Sequence, residues 1–364
     1  MRLSLLFTRY MGRHFGFWLA SVFLTLIAIV AMFDLVELLR RASGKQEVTT
    51  EVVVQMSLLK LPHLVQDMLP FAVLIGGMLT FWRLARANEL VVARAAGVSV
   101  WQLLLAPIAI TFLVGVVLIT TFNPFAAAMR TQYEQLEAKY LSQQRSELAV
   151  SPTGVWLRQG TRDRQSVIHA DDVDGRGATL IGVTVYRLAE QDRFVGRVDA
   201  ARAVLREGYW ELQDAFVSEP ERASEPYATY RIATDLTVDK IQDSFASADS
   251  LSFWELPQFI GTMEEAGFNA NIHRLYLHSL LATPLLLCAM VLIAASFTIR
   301  TGRRARTGLM VVGGVTSGFV LYFFTNVVHA LGLSASIPAQ LAAWMPAGVS
   351  TMLGVTALLH LEDG

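Results

Sequence analysis

Three groups of residues have the types and spacing to do chemistry. Arg40, Arg41 and Lys45 stand close enough along the chain for two guanidinium groups and an ammonium to share one phosphate, with the arginines binding bidentately. Asp34, Glu37 and Glu47 flank them, so pairing within the chain or at the membrane surface is an equal alternative. Asp34, Glu37, Asp67, Asn326 and His329 form the second group, polar side chains inside or at the ends of long apolar runs. Each costs about 2.5–3.5 kcal/mol if left facing lipid at mid-depth, so such residues mark gates, ion paths or helix ends. A proton-driven carrier wants acids at the bilayer midplane, whereas these lie near helix ends, where reaching to the interface is cheaper. The third group is Arg86, Glu89, Leu90, Arg94 and Gly97, within WRLARANELVVARAAGVS at 82–99. This stretch predicts a short helix that starts near Asn88 and stops at Gly97 as a C′ residue, with an apolar face of Leu90, Val91 and Ala93 to Ala95 between Glu89 and Arg94. Its chemistry is docking.

No pattern for bond-making accompanies them. The sequence has no G-x-x-x-x-G-K-[ST], so the chain is not expected to hydrolyse ATP by itself, and it has neither H-E-x-x-H nor G-x-S-x-G. His273 and His278 are five apart, the wrong spacing for one helical face, and read as interfacial side chains rather than metal ligands. Cys288 is the only cysteine, which rules out an intramolecular disulfide and a cysteine-based zinc site. A formal net charge of −1 gives no basic excess for nucleic acid. The expectation is no catalytic residue, no metal and no cofactor bound by this chain.

The elements that position these residues are membrane helices. With 53% apolar and 17% charged residues in 364, and a mean hydropathy of +0.43, the chain carries more apolar surface than a soluble fold of this length buries. A bilayer core of about 30 Å takes roughly 20 mainly apolar residues per helix. Six segments qualify: about 14–36, 62–82 and 101–122, then 276–299, 309–331 and 338–360. In the second of these, Pro62, His63, Gln66, Asp67 and Pro70 predict a helix facing protein or water on one side. Arg2, Arg9 and Arg13 before an apolar stretch resemble a signal peptide, but Phe15 to Phe33 is long for one and no small-x-small site follows before Asp34, which predicts an uncleaved anchor. Placing Arg2, Arg9, Arg13, Arg83, Arg86, Arg94, Arg300, Arg303, Arg304 and Arg306 inside leaves only Arg40, Arg41, Lys45 and Lys60 on the short outer segments. Both termini are therefore expected in the cytoplasm, with 123–275 outside.

That outer segment predicts an all-β domain. Period-2 alternation recurs in Gly154–Gln159, Ser166–Val173, Leu180–Leu188, Phe194–Leu205, Tyr209–Val217 and Tyr227–Val238, with turn-rich breaks between. Such spacing suits a sandwich, jelly roll or open barrel, and alternation alone leaves open whether the apolar face closes on itself or stays open to a lipid. Residues 125–147 read as an extension of the third helix, and 252–268 as a short amphipathic helix. The expected organisation is helices one to three over 1–124 with the loop 83–100, the β domain with helical connectors over 125–275, and helices four to six over 276–364. Gly314 and Gly318 form a G-x-x-x-G that permits close helix packing but does not by itself mark a dimer interface.

NELVVARAAGVS, the preceding LP-x-x-x-x-x-x-LPFAVLIGGMLTFWRLAR, and the late SGFVLYFFTNVVHALG followed by IPAQLAAWMP together resemble the lipopolysaccharide export permease family, the paired LptF and LptG proteins. The resemblance spans nearly the whole chain, and FDLVELLRRASGK leans towards the LptG branch. It implies a bacterial inner-membrane, multi-pass protein: a six-helix bundle, three plus three, with an inserted periplasmic jelly-roll-like domain. It implies a heterodimer with a paralogous LptF-like permease, a cytoplasmic LptB-like ATPase dimer that holds ATP and Mg, LptC-like and LptA-like bridge proteins, and lipopolysaccharide as cargo. Carried over by residue, Glu89 with Arg86 and Arg94 would couple to the ATPase, and Arg40, Arg41, Lys45 and, after Asn123-Pro124, Arg130 would meet lipid phosphates. The acids Asp34 and Glu37 make that basic end less purely phosphate-binding. Three alternatives remain: an exporter of another lipid or lipoprotein, a proton-coupled secondary transporter, for which no internal repeat is visible, and a membrane-anchored scaffold.

Overall fold

The computed structural model describes residues 5–43, 48–141, 147–151, 154–161, 164–174, 179–189, 193–220, 224–234, 247–265, 269–299 and 307–362. Lys45, Glu47, Arg2, Arg300, Arg303, Arg304 and Arg306 lie outside these. The chain divides into two compact units, one of Met1–Leu136, Ser252–Trp254 and Arg274–Gly364, the other of Glu137–Leu251 and Glu255–His273.

The first unit is helical. Its elements are α1 (Leu5–Ala42), α2 (Thr50–Arg86), α3 (Glu89–Ala95), α4 (Val100–Val117), a π-helical turn at Leu118–Phe122, the start of α5 (Asn123–Tyr140), and then α7 (Asn271–Ile299), α8 (Thr307–Leu333) and α9 (Ala339–Glu362). Among the described residues, six stretches are long and apolar enough to cross a membrane, the third running unbroken from Val100 to Glu137. Backbone groups in hydrocarbon must bond within their own segment, which makes these runs helices. The cores of Phe15, Phe81, Leu74, Leu103, Leu104, Leu287 and Val291 knit them together. Gly76 lets α2 approach the α1 backbone at Leu19, and Gly115 lets α4 approach α7 at Pro284. Gly314 and Gly318 turn to Met78 and Leu74 of α2, so the G-x-x-x-G serves packing within the chain.

The helices outrun the predicted spans. The first continues past Glu37 to Ala42. The second begins at Thr50, where the Thr49 hydroxyl caps it by accepting from the Val52 amide, and not at 62. Val53, Met56 and Leu59, buried at helical spacing, carry α2 through a stretch read as an outer loop, so Lys60 sits on a helix.

The second unit holds a seven-stranded antiparallel sheet in chain order, unclosed, with strands β1 (Glu147–Ser151), β2 (Gly154–Thr161), β3 (Arg164–Asp174), β4 (Thr179–Ala189), β5 (Arg193–Arg206), β6 (Tyr209–Ser218) and β7 (Glu225–Ala233). β1 had no counterpart among the alternating runs. β7 ends at Ala233, and the remainder of the run predicted to Val238 lies outside the described residues from 235 on.

A crease crosses this sheet. The pairing skips Asp171, Gly182, Ala201 and Asp214 on four successive strands while the register on either side stays the same, as from Val183↔Ala200 to Ile181↔Arg202. The buried positions change phase there: Leu180 precedes Val183 and Val185, Val198 and Ala200 precede Ala203, and Trp210 and Leu212 precede Ala215. Aligned unpaired residues bend a sheet as a row of bulges does, and Gly182 at φ +63° and Asp214 at φ +53° supply the backbone for it. The bend brings Trp210 of β6 to Gln159 of β2: the indole Nε1 donates to the Gln159 Oε1 at 3.1 Å, and Thr234 Oγ1 donates to the same oxygen at 2.6 Å. Within this unit the amphipathic connector is α6 (Leu256–Glu265), with Leu256, Ile260 and Met263 buried. His273 is buried with its ring 4.9 Å from Phe259, an aromatic contact.

Candidate functional site

The two ends of α1 gather most of the candidate residues. At its N-terminal end stands α3. Its C-terminus closes in a Schellman turn: Gly97 at φ +81° donates to the Arg94 carbonyl and Val98 to the Ala93 carbonyl. The predicted stop is thus where it was expected. The start is also where it was expected, with Asn88 as the N-cap residue, but Asn88 takes a left-handed conformation (φ 59°) and makes no side-chain cap bond.

The predicted apolar face divides in two. Leu90 and Ala93 turn into the helical core, while Val91 and Val92 are 64% and 67% exposed. Leu90 therefore anchors α3, and the outward surface is Val91, Val92, Arg94 and Ala95. Two adjacent exposed valines thus give this seven-residue helix a small outward apolar surface. Glu89 is half-buried, and its Oε2 accepts from Tyr10 Oη at 2.9 Å. Around it, Arg83 Nη1 donates to His14 Nδ1 at 2.8 Å and the Arg86 guanidinium lies 5.3 Å from the Trp82 ring centre.

At the other end of α1 the cations meet carboxylates. Arg40 grips Glu37 with two bonds of 2.8 Å, and Arg41 Nε adds one of 2.9 Å to the same carboxylate. Of the two readings open in the sequence, this structure contains the internal pairing. All three side chains are more than a third exposed, so the pairs are solvent-screened and yield readily to a stronger anion. Asp34 faces α2, where it accepts from Lys60 Nζ at 2.5 Å and from Ser57 Oγ at 3.4 Å. Lys60 also lies 5.8 Å from the ring centre of buried Tyr133, and Arg130 lies 5.2 Å from the same ring while bonding Glu134 at 3.1 Å. Lys60 and Arg130 therefore share one aromatic between α2 and α5. Lys60 is the residue that sequence reasoning passed over; its signal was the helical spacing upstream of Pro62.

The remaining polar residues stand apart. Asp67 is 3.8 Å from His63 one turn earlier. His329 Nε2 is 3.2 Å from Ser279 Oγ, tying α8 to α7, and Asn326 Nδ2 donates back to the Tyr322 carbonyl. Asp67, Asn326 and His329 do not form one cluster. Asn123, at the end of the π turn, receives the Phe253 amide at 2.7 Å and donates to Tyr276 Oη at 3.2 Å, while Trp254 Nε1 donates to the Thr120 carbonyl. The π turn frees that carbonyl, and the returning chain uses it.

Comparison with known proteins matches residues 9–360 to the family described as lipopolysaccharide export system permease LptF/LptG. The chain is 25% identical over 360 residues to the lipopolysaccharide export system permease protein LptG of Escherichia coli strain K12, covering 97% of each. It is 24% identical over 352 residues to the LptG protein of Haemophilus influenzae (strain ATCC 51907), covering 93% of this chain and 94% of that one. Six apolar helices, a β domain inserted after the third, and a family match over almost the full length agree: the chain belongs to the lipopolysaccharide export permease family LptF/LptG.

Proposed function

We propose that this chain is one permease of a pair that extracts lipopolysaccharide from the bacterial inner membrane, driven by a separate ATPase. The observation that carries the reading is the family match over 9–360 together with an α3 that presents Val91, Val92 and Arg94 outward beside Glu89. The ATPase dimer would hold ATP and Mg and seat α3 in a groove; closure on ATP moves α3, and α1 moves with it against the paralogous LptF-like permease. The cavity between the permeases then narrows around a captured lipid. Lys60 and Arg130, with Arg40 and Arg41 at the same end of α1, would take its phosphates, exchanging their internal carboxylates for a more highly charged anion, and Lys45, four residues on in the sequence, would join them.

In this reading both termini are cytoplasmic and the β domain is periplasmic. Each CH₂ exposed to water costs about 0.8 kcal/mol, so acyl chains need an apolar track outside the membrane. The creased sheet, with its interior of Val155, Leu157, Ile168, Val183, Val185 and Val198, supports a role in that track, passing lipid towards LptC-like and LptA-like bridge proteins.

Purification of the detergent-solubilised chain from its native host tests the assignment. Wild type is expected to retain a second six-helix permease, a P-loop ATPase and lipopolysaccharide, and Glu89→Lys to lose the ATPase. A wild-type chain that carries neither ATPase nor lipid overturns it.

A further inference from the structure

We propose that Tyr10 is a positioning residue for Glu89: it fixes that carboxylate for the docking partner and passes the partner's motion into α1. The inference rests on the docking role of α3 given above. A helix of seven residues has too little of its own hydrogen bonding to hold an orientation. The C-terminal end of α3 is locked by the Schellman turn, and its inner face by Leu90 and Ala93. Its N-terminal end lacks a side-chain cap, since Asn88 makes no such bond. Tyr10 supplies the tie at that end, donating from 79 positions away to Glu89 Oε2 at 2.9 Å.

The bond leaves Glu89 competent to dock. A carboxylate has about four acceptor sites, so one phenol on one oxygen leaves room for a guanidinium or ammonium from a partner, now aimed by the phenol. Tyr10 is itself held. Its ring meets His14, one turn along α1, at 4.4 Å and 69°. His14 Nδ1 in turn receives Arg83 Nη1 at the end of α2. The N-terminal end of α1 is thereby bonded to α3 on one side and to α2 on the other. The opposite end of the same helix carries Asp34 against Lys60 and Glu37 against Arg40 and Arg41. A displacement of α3 reaches α1 through a directed hydrogen bond as well as through packing.

The test uses the whole complex from the native host, reconstituted in proteoliposomes containing lipopolysaccharide, with Tyr10→Phe, Glu89→Gln and the double variant. ATPase retention, hydrolysis and lipid released per ATP are measured together. Tyr10→Phe keeps the ring on His14 and removes only the donor. It is expected to retain the ATPase and its hydrolysis while lipid released per ATP falls about tenfold, the low end for a hydrogen bond to a charged acceptor, as suits an exposed bond. In the Glu89→Gln background it is expected to add nothing, because its target is already changed. Wild-type stoichiometry in Tyr10→Phe overturns the proposal, and so does a Tyr10→Phe loss that adds in full to that of Glu89→Gln. Should wild type retain no ATPase, or Glu89→Gln have no effect, the docking role of α3 itself fails, which those two arms reveal without Tyr10.

Discussion

The Asp34–Lys60 pair decides what happens at one end of α1. The Asp34 side chain is 8% exposed and that of Lys60 25%, with 2.5 Å between them, so this pair is far less screened than Glu37 with its two arginines. Lys60→Ala strands a nearly buried carboxylate and is expected to cost about 2 kcal/mol, below the usual figure for a fully buried pair because Lys60 is partly exposed. Adding Asp34→Asn should return most of that loss, since the charge that lacked a partner is gone. Thermal unfolding of the four combinations in detergent reads this directly; equal melting of Lys60→Ala and the double variant would mean the two charges do not act as a pair. Residues of this kind were only half legible in the sequence. Glu37, Arg40 and Arg41 sit within little more than one turn of one helix, so their mutual contacts follow from spacing. Lys60 and Asp34 are 26 positions apart and Tyr10 and Glu89 are 79, and no local pattern encodes such meetings.

Among the elements, α3 and the creased sheet show how local chemistry sets larger shape. Gly97 ended α3 as its conformational freedom predicts, whereas the division of the apolar face between core and exterior depends on what α3 rests upon. The alternation of β2 to β7 was legible because strands have a period of two, but the crease was not, since a change of phase in one strand resembles ordinary irregularity until neighbouring strands are seen to share the missing pairs. Gln159 is the polar group that this bend buries, and it accepts from both Trp210 and Thr234. Gln159→Leu deprives the buried indole N–H of its acceptor, a loss of about 1–3 kcal/mol, and removes one acceptor from Thr234. Hydrogen exchange on the full chain in detergent should then show Leu212 and Ala215 amides losing about tenfold or more in protection, with α7 unaffected. Unchanged exchange in β6 would mean that the crease holds without Gln159.

For the whole molecule, composition and apolar run length were enough to predict six membrane helices and an inserted β domain, because lipid leaves the backbone few other options. Helix ends were less legible: outside the hydrocarbon a helix continues for as long as its side chains pack, which is why α1 and α2 overrun their apolar cores. In the proposed function, work done on α3 at one end of the bundle releases a lipid at the other. The measurement that tests it most directly is ATP-dependent release of lipopolysaccharide from proteoliposomes containing the purified complex to a soluble acceptor. Release is expected to require ATP and to fall to background with Glu89→Lys. Release that persists without ATP, or that Glu89→Lys leaves intact, would contradict it.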